Sequence, residues 1–321
     1  MSMRKWKKKL MMITSTLFIL TGCSLPGLGG SVTGEGISIT GGTSTEMDMM
    51  GYLIEGMVEH YIGVDANVIT NLSSGMNHQA FLTGDANVSG VRYTGTSLTG
   101  ELGKEAVTDP EKAEQIVIDS FKEEYNQNWY PSYGFSNTYA FMVRAETAEE
   151  YGLEKVSQLE EFKDEFSVGV DTSWMTREGD GYDAFVETYG FEFNDIFPMS
   201  LGLLYTALSG EEIDVGLGYS TDGQIPAEDL VLLDDDLNLF PPYDASPLAT
   251  AEIVEEYPEL EDIFYKLEGK IDEEQMQELN YLSENYLLEP RTVAFNWLEE
   301  NNYFEDTEPY LEPVEGKELN E

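Results

Sequence analysis

The residues of this chain that could do chemistry are two histidines, one cysteine, 62 acidic side chains and 19 tyrosines. His60 and His78 fall in or near amphipathic helical stretches, with no cysteine or acidic pair at ligand spacing, so they do not make a metal site. Gly95 to Lys104 contains glycines and a lysine, but Glu105 follows Lys104, and the Gly-x-x-x-x-Gly-Lys-Ser/Thr order that wraps phosphates is missing. No Gly-x-Ser-x-Gly elbow presents a serine nucleophile, and Cys23, at the end of an N-terminal apolar segment, is the lone thiol. Paired carboxylates for glycoside hydrolysis stay open, because their separation is spatial, but abundance alone is weak support. A surface-anchored enzyme acting on glycans through such a pair is the alternative reading. No catalytic residue, metal or cofactor is expected.

Tyrosine offers a different chemistry, since its ring face attracts cations and its edge packs apolar groups. Four tyrosines stand at the ends of expected strands: Tyr93 after Ala86 to Val91, Tyr139 within Asn137 to Phe141, Tyr219 after Ile213 to Leu217, and Tyr243 within Phe240 to Asp244. In open α/β sheets ligands bind outside the carboxyl ends of strands, so side chains there can converge on a cleft. A tyrosine chosen blindly is more often a half-buried packing residue. What lifts these four is the sequence around them.

The elements that must position them alternate. Ile37 and Ile39 mark a first strand, Gly41 to Thr45 a turn with Ser44 or Thr45 as helix cap, and Met50, Leu53, Ile54, Met57, Val58 and Tyr61 one apolar helix face. Val68 and Ile69, Thr138 to Val143 and Ser167 to Val170 read as further strands. Gln79 to Leu82 reads as the end of a helix, and Glu111 to Asn126, Tyr182 to Thr188, Ser200 to Leu208 and most of Ala251 to Leu298 read as helical. Strands alternating with helices predict an α/β fold with mixed sheets.

Composition adds a compartment and excludes a partner. Arg4, Lys5, Lys7, Lys8 and Lys9 precede the apolar run Leu10 to Leu20, the two parts of a secretory signal too short to span a bilayer. The run Leu20-Thr21-Gly22-Cys23 resembles the lipobox of bacterial lipoproteins, which implies a signal over 1–22 and a diacylated Cys23 at the outer face of the cell membrane. Residues 23–36, rich in glycine, then read as a flexible tether. Removing 22 residues leaves 299, enough for two domains, with 12 basic residues against 62 acidic ones, a formal charge of −50. Nucleic acid is excluded as a partner on that charge. The acids are spread along the chain, which favours a solvated surface suited to salt over an electrostatic trap for cations. The stretch 305–321 reads as an acidic, frayed tail.

At Arg92 to Thr96, Tyr133 to Phe141, Thr188 to Phe193, Tyr219 to Gly223 and Phe240 to Ser246 the chain closely resembles the substrate-binding lipoproteins of OpuC-type ABC importers. Further matches are Leu102 to Ala106, Gly169 to Asp171, Gly179 to Tyr182 and Met276 to Tyr281, and the likeness runs from about Ile37 to about Phe304. These proteins take up glycine betaine, carnitine, choline and related osmoprotectants. The resemblance implies a two-lobed periplasmic-binding-protein fold of type II, each lobe a mixed sheet flanked by helices, with the ligand cleft between them. It places one lobe at 37–132 and 241–304 and the other at 133–240. It also implies a monomer that delivers its ligand to permease subunits.

In that family the trimethylammonium head sits in a box of aromatic faces, and the residue-by-residue match puts Tyr93, Tyr139, Tyr219 and Tyr243 in it. A quaternary ammonium has no N–H to donate, so ring faces suit it better than hydrogen-bond acceptors. The match puts Thr96 where the ligand's carboxylate is met; choline-restricted relatives carry an aspartate there. Gly42 aligns with a position where the family commonly has a glutamine, and Thr43, Ser44 or backbone N–H groups are the candidates to replace that amide.

Overall fold

The computed structural model describes residues 36–304 except Glu178; the signal segment, Cys23 and the stretch 305–321 lie outside the described residues. Ten strands form two mixed sheets: β1 (Ile37–Thr40), β2 (Ala66–Ile69), β3 (Val88–Tyr93), β4 (Gln127–Trp129), β5 (Tyr139–Arg144), β6 (Ser167–Asp171), β7 (Asp195–Met199), β8 (Val215–Tyr219), β9 (Leu230–Leu232) and β10 (Ala245–Thr250). The first sheet has the order β2-β1-β3-β10-β4 and the second β7-β6-β8-β5-β9. The first therefore draws on both ends of the described chain, the second on its middle. In each, one strand entering antiparallel, β10 or β5, joins a parallel set. Helices cover both sheets, as the alternation of elements predicts.

Several elements go beyond the sequence reading. β4 and β9 are three residues long, and β7 is an edge strand carrying Pro198, a position where a missing N–H does no harm. β10 contains Pro247 and shifts register between Ser246 and Leu248, which hides its period. The strands leading to Tyr93 and Tyr219 each end two residues later than Val91 and Leu217, so both tyrosines are terminal strand residues rather than loop residues.

Helix α1 (Thr45–Tyr61) is the centre of the first core. Ser44 is its cap, its side chain accepting from the Met47 N–H, and Glu46 and Asp48 lie in the first turn where the helix dipole favours acids. Met50, Leu53, Ile54, Met57 and Val58 are fully buried against β1 and β3 and the C-terminal helices. The helix seats directly on β3 through a glycine pair, because a Cβ on Gly90 would lie 2.4 Å from the Gly51 nitrogen. That close approach brings the first turn of α1 beside the end of β3.

A polar network is buried below the same strands. Arg92, 3 % exposed, pairs with Glu101, donates from Nη2 to Asn77 Oδ1 at 2.7 Å and from Nε to Ser89 Oγ at 3.1 Å. Asn77, on α2 (Ser74–Thr83), donates from Nδ2 to the Gly41 carbonyl at 3.2 Å. One buried cation thus ties the turn after β1 to the π-helical turn Ser97–Glu101 that follows β3.

The acid-rich surface has a consequence for stability. Desolvation lifts the carboxyls of Asp48, Glu55, Asp222 and Glu284 above their ordinary range, and does the same for Glu114, Asp244 and Glu268. A folded-state pKa above the unfolded one means that the folded chain binds more protons, so stability rises as the pH falls towards about 4, the unfolded carboxylate range. Asp236, lowered on balance by its Ser157 hydrogen bonds although desolvation pushes it up, opposes this. So does His78, held down by desolvation, below its unfolded value. The melting temperature is expected to be higher at pH 5 than at pH 7.5 in scans at fixed ionic strength; a lower value at pH 5 contradicts this account.

Candidate functional site

All four tyrosines line one cavity of about 420 Å³, together with Thr43 and Thr96. The topology explains how. Tyr93 and Tyr219 end strands β3 and β8, while Tyr139 begins β5 and Tyr243 precedes β10, and these two strands run the opposite way. The β5/β8 register sets Tyr139 directly opposite Tyr219, and β10 sets Ala245, two residues after Tyr243, opposite Tyr93. The carboxyl-end rule accounts for two of the rings; antiparallel entry brings the other two to the same edges. The segments that carry Tyr243 and Thr138 lie side by side through a Ser136–Asp244 bridge, with the Tyr243 N–H donating to Ser136 Oγ at 3.2 Å.

The rings are held in defined ways. Tyr139 and Tyr219 stack with centroids 4.9 Å apart and planes at 19°. Tyr139 donates its hydroxyl to Asp171 Oδ2 at 2.9 Å, and Tyr93 donates to Glu46. Glu46 is 3 % exposed and accepts in addition from Asn137 Nδ2 at 2.8 Å and Asn280 Nδ2 at 2.9 Å. Asn280 and Gln277, on the helix Glu273–Glu284, also donate to the Thr221 and Ser220 carbonyls, both at 2.8 Å, which fixes the turn after Tyr219. Burial pushes the Tyr93 and Tyr139 phenols well up, with the neighbouring carboxylates adding to it, and pushes Tyr243 up to about 12. All three stay protonated donors near neutral pH.

Arg177, like Asn137 and Thr138, is a cavity residue that the sequence reading missed. It lines the cavity, donates from Nη2 to the Tyr243 hydroxyl at 2.7 Å and from Nε to Asp180 Oδ1 at 2.5 Å, and its guanidinium carbon lies 5.5 Å from the Tyr139 ring centroid. The guanidinium thus lies within cation–π range of one ring of the box, with its charge paired to Asp180. Asp171 and Asp180 fall in matched segments of the sequence, Gly169 to Asp171 and Gly179 to Tyr182, which was the available signal; nothing in the spacing singled out Arg177. Thr138 also borders the cavity, and its Oγ1 is buried without a protein partner.

The turn after β1 divides. Thr43 and Ser44 line the cavity, whereas Gly42 does not, and the Gly42 N–H is engaged by Asp48 Oδ1 at 3.0 Å. A Cβ on Gly42 would lie 2.7 Å from Met47 Cβ and closer still to its sulfur, so Met47 occupies the space that a longer side chain needs. A second cavity, of about 450 Å³, lies beyond Thr138 and Tyr139 against Leu233, Phe240 and Pro241, and offers only one of the four tyrosines. Among the described residues no cluster of three metal-binding side chains occurs, and no helix is long and apolar enough to cross a membrane.

Two mixed sheets flanked by helices, with a cavity at facing strand edges, define a two-lobed substrate-binding protein. Residues 35–300 match the model of the substrate-binding domain of ABC-type glycine betaine transport systems, and the chain belongs to that family. It is 50 % identical to the carnitine transport binding protein OpuCC of Listeria monocytogenes, over 92 % of this chain and 96 % of that one. It is 30 % identical to a glycine-betaine-binding protein of Pseudomonas aeruginosa, over 86 % and 91 %. The crystal structure of a glycine betaine/carnitine/choline ABC transporter protein superposes with a TM-score of 0.81 at 44 % identity, covering 84 % of this chain and all of that one. The family and these relatives are transport proteins, and they give the glycan-enzyme alternative no support.

Proposed function

We infer that this chain is the extracytoplasmic receptor of an ABC importer, capturing quaternary ammonium osmolytes such as glycine betaine, carnitine and choline and delivering them to permease subunits without chemistry of its own. The observation that carries this reading is the meeting of Tyr93, Tyr139, Tyr219 and Tyr243 with Thr43 and Thr96 at one cavity. The tyrosine faces take the trimethylammonium head, each desolvated contact contributing up to about 2 kcal/mol. Residues 37–132 with 241–304 act as one lobe and 133–240 as the other, closing on the ligand as a monomer. Isothermal titration with glycine betaine, carnitine, choline and proline betaine at moderate salt is expected to show binding of at least one; silence with all four overturns the reading.

Thr96 takes the ligand's polar end in this reading, and a charge there sets preference. Thr96→Asp is expected to weaken glycine betaine and carnitine binding at least about tenfold relative to choline, because like charges repel strongly in a partly desolvated site. An unchanged ratio of affinities removes Thr96 from the site. Cys23 serves as the lipid attachment, whose two acyl chains suffice for stable anchoring. Cys23→Ala should release the protein from the membrane fraction while leaving ligand affinity as it was; retention at the membrane contradicts lipidation at that residue.

A further inference from the structure

We propose that Glu46 and Asp171 are positioning residues that tune the tyrosine box for positive charge, each acting through the phenol of the ring that it holds. Resting on the functional reading above, this deepens it: the box would select a cation over a neutral group of the same shape.

Two of the four rings donate to a carboxylate. Tyr93 donates to Glu46, a carboxylate almost fully buried, and Tyr139 donates to Asp171 at 2.9 Å. Neither carboxylate is among the residues that line the cavity. A phenol donating to an anion is a charge-assisted hydrogen bond, and the anion draws the proton and pushes electron density into the ring. The ring face grows more negative, which strengthens its attraction for a cation and does nothing for a methyl contact. The raised phenol pKa values keep the proton on the tyrosine oxygen, so the ring is polarised without becoming a phenolate that would alter the ligand's charge balance.

Tyr243 supplies the internal contrast. Its hydroxyl donates to Asp180 Oδ2 at a longer 3.3 Å and accepts from Arg177 Nη2 at 2.7 Å. The guanidinium withdraws what the carboxylate gives, so this ring is oriented without being enriched. Tyr219 reaches only the Tyr139 hydroxyl, at 3.5 Å. Tyr93 and Tyr139, one on each sheet, are thus the rings whose phenols donate to a carboxylate, and on Tyr139 the Arg177 guanidinium, 5.5 Å from the centroid, draws on the same ring.

The test compares glycine betaine with 3,3-dimethylbutanoate, its uncharged-head isostere in which carbon replaces the quaternary nitrogen, by titration and by competition. Glu46→Gln and Asp171→Asn are each expected to weaken glycine betaine binding about 3- to 10-fold and leave the isostere unchanged. The Asp171→Asn loss should vanish in a Tyr139→Phe background, where no phenol remains to transmit it. Equal loss for both ligands, no loss for either, or a full Asp171→Asn loss that persists with phenylalanine at 139 overturns the proposal. If the unmodified protein binds no quaternary ammonium, the functional reading falls first, whereas normal binding with indifferent variants sinks this inference alone.

Discussion

Tyr219→Ala is expected to lower affinity for the quaternary ammonium ligand by about 30- to 150-fold, which corresponds to roughly 2–3 kcal/mol. Two losses combine. The variant removes one aromatic face, worth up to about 2 kcal/mol when desolvated, and it removes the ring that stacks on Tyr139 at 4.9 Å, a contact of about 0.5–1.5 kcal/mol. Tyr139 then loses the neighbour that fixes its plane and opens more solvent to the box. Tyr219→Phe is the matched comparison. It keeps both faces and gives up only a long 3.5 Å contact between hydroxyls, so its affinity should stay within about threefold of the parent. Tyr286→Ala serves as the control, since that side chain is 64 % exposed and away from the cavity. Titration calorimetry on the three variants gives the answer, and alanine at 219 within about threefold of the parent would remove Tyr219 from the box.

The sequence made the four rings legible because each sits in a short, distinctive run, such as Phe240 to Ser246 or Arg92 to Thr96, and because each lies at or beside one end of a strand. It did not make legible what holds them. Glu46 and Tyr93 are 47 positions apart, Asp171 and Tyr139 are 32 apart, and Arg177 and Tyr243 are 66 apart. Such pairs depend on sheet register and on the crossing segments, which no local period records. Acid abundance worked against the reading as well: among 62 carboxylates, Glu46 looks like an ordinary first-turn helix acid until its burial is known. The fold class was readable for the opposite reason, since apolar runs such as Thr138 to Val143 and Ser167 to Val170 and the α1 face announce themselves locally. Short or proline-bearing strands, β4, β7, β9 and β10, carry too little periodicity to do so, and their place is settled by the neighbours they pair with.

Glu101→Ala should be the most damaging single change to the fold outside the hydrophobic cores. The Arg92 and Glu101 side chains are each 3 % exposed, so removal of the carboxylate leaves a buried guanidinium with only the neutral acceptors Asn77 and Ser89. Breaking a buried pair in this way costs about 3–5 kcal/mol, far more than the pair contributes relative to a well-packed apolar substitute. Urea unfolding of the variant should therefore show a markedly lower midpoint at an unchanged slope. The double change Arg92→Met with Glu101→Leu is expected to recover much of the loss, because no charge is then left unpaired. A Glu101→Ala cost below about 1 kcal/mol would mean that water or a rearranged neighbour satisfies Arg92, against the geometry described. The network also links stability to binding. Asn77 holds the Gly41 carbonyl just before Gly42 and Thr43, and Glu101 closes the turn that follows Thr96, so loss of the Arg92 anchor loosens both threonine walls of the cavity together. Ligand binding should fall in Glu101→Ala even under conditions where the variant is fully folded, and return in part in the double variant.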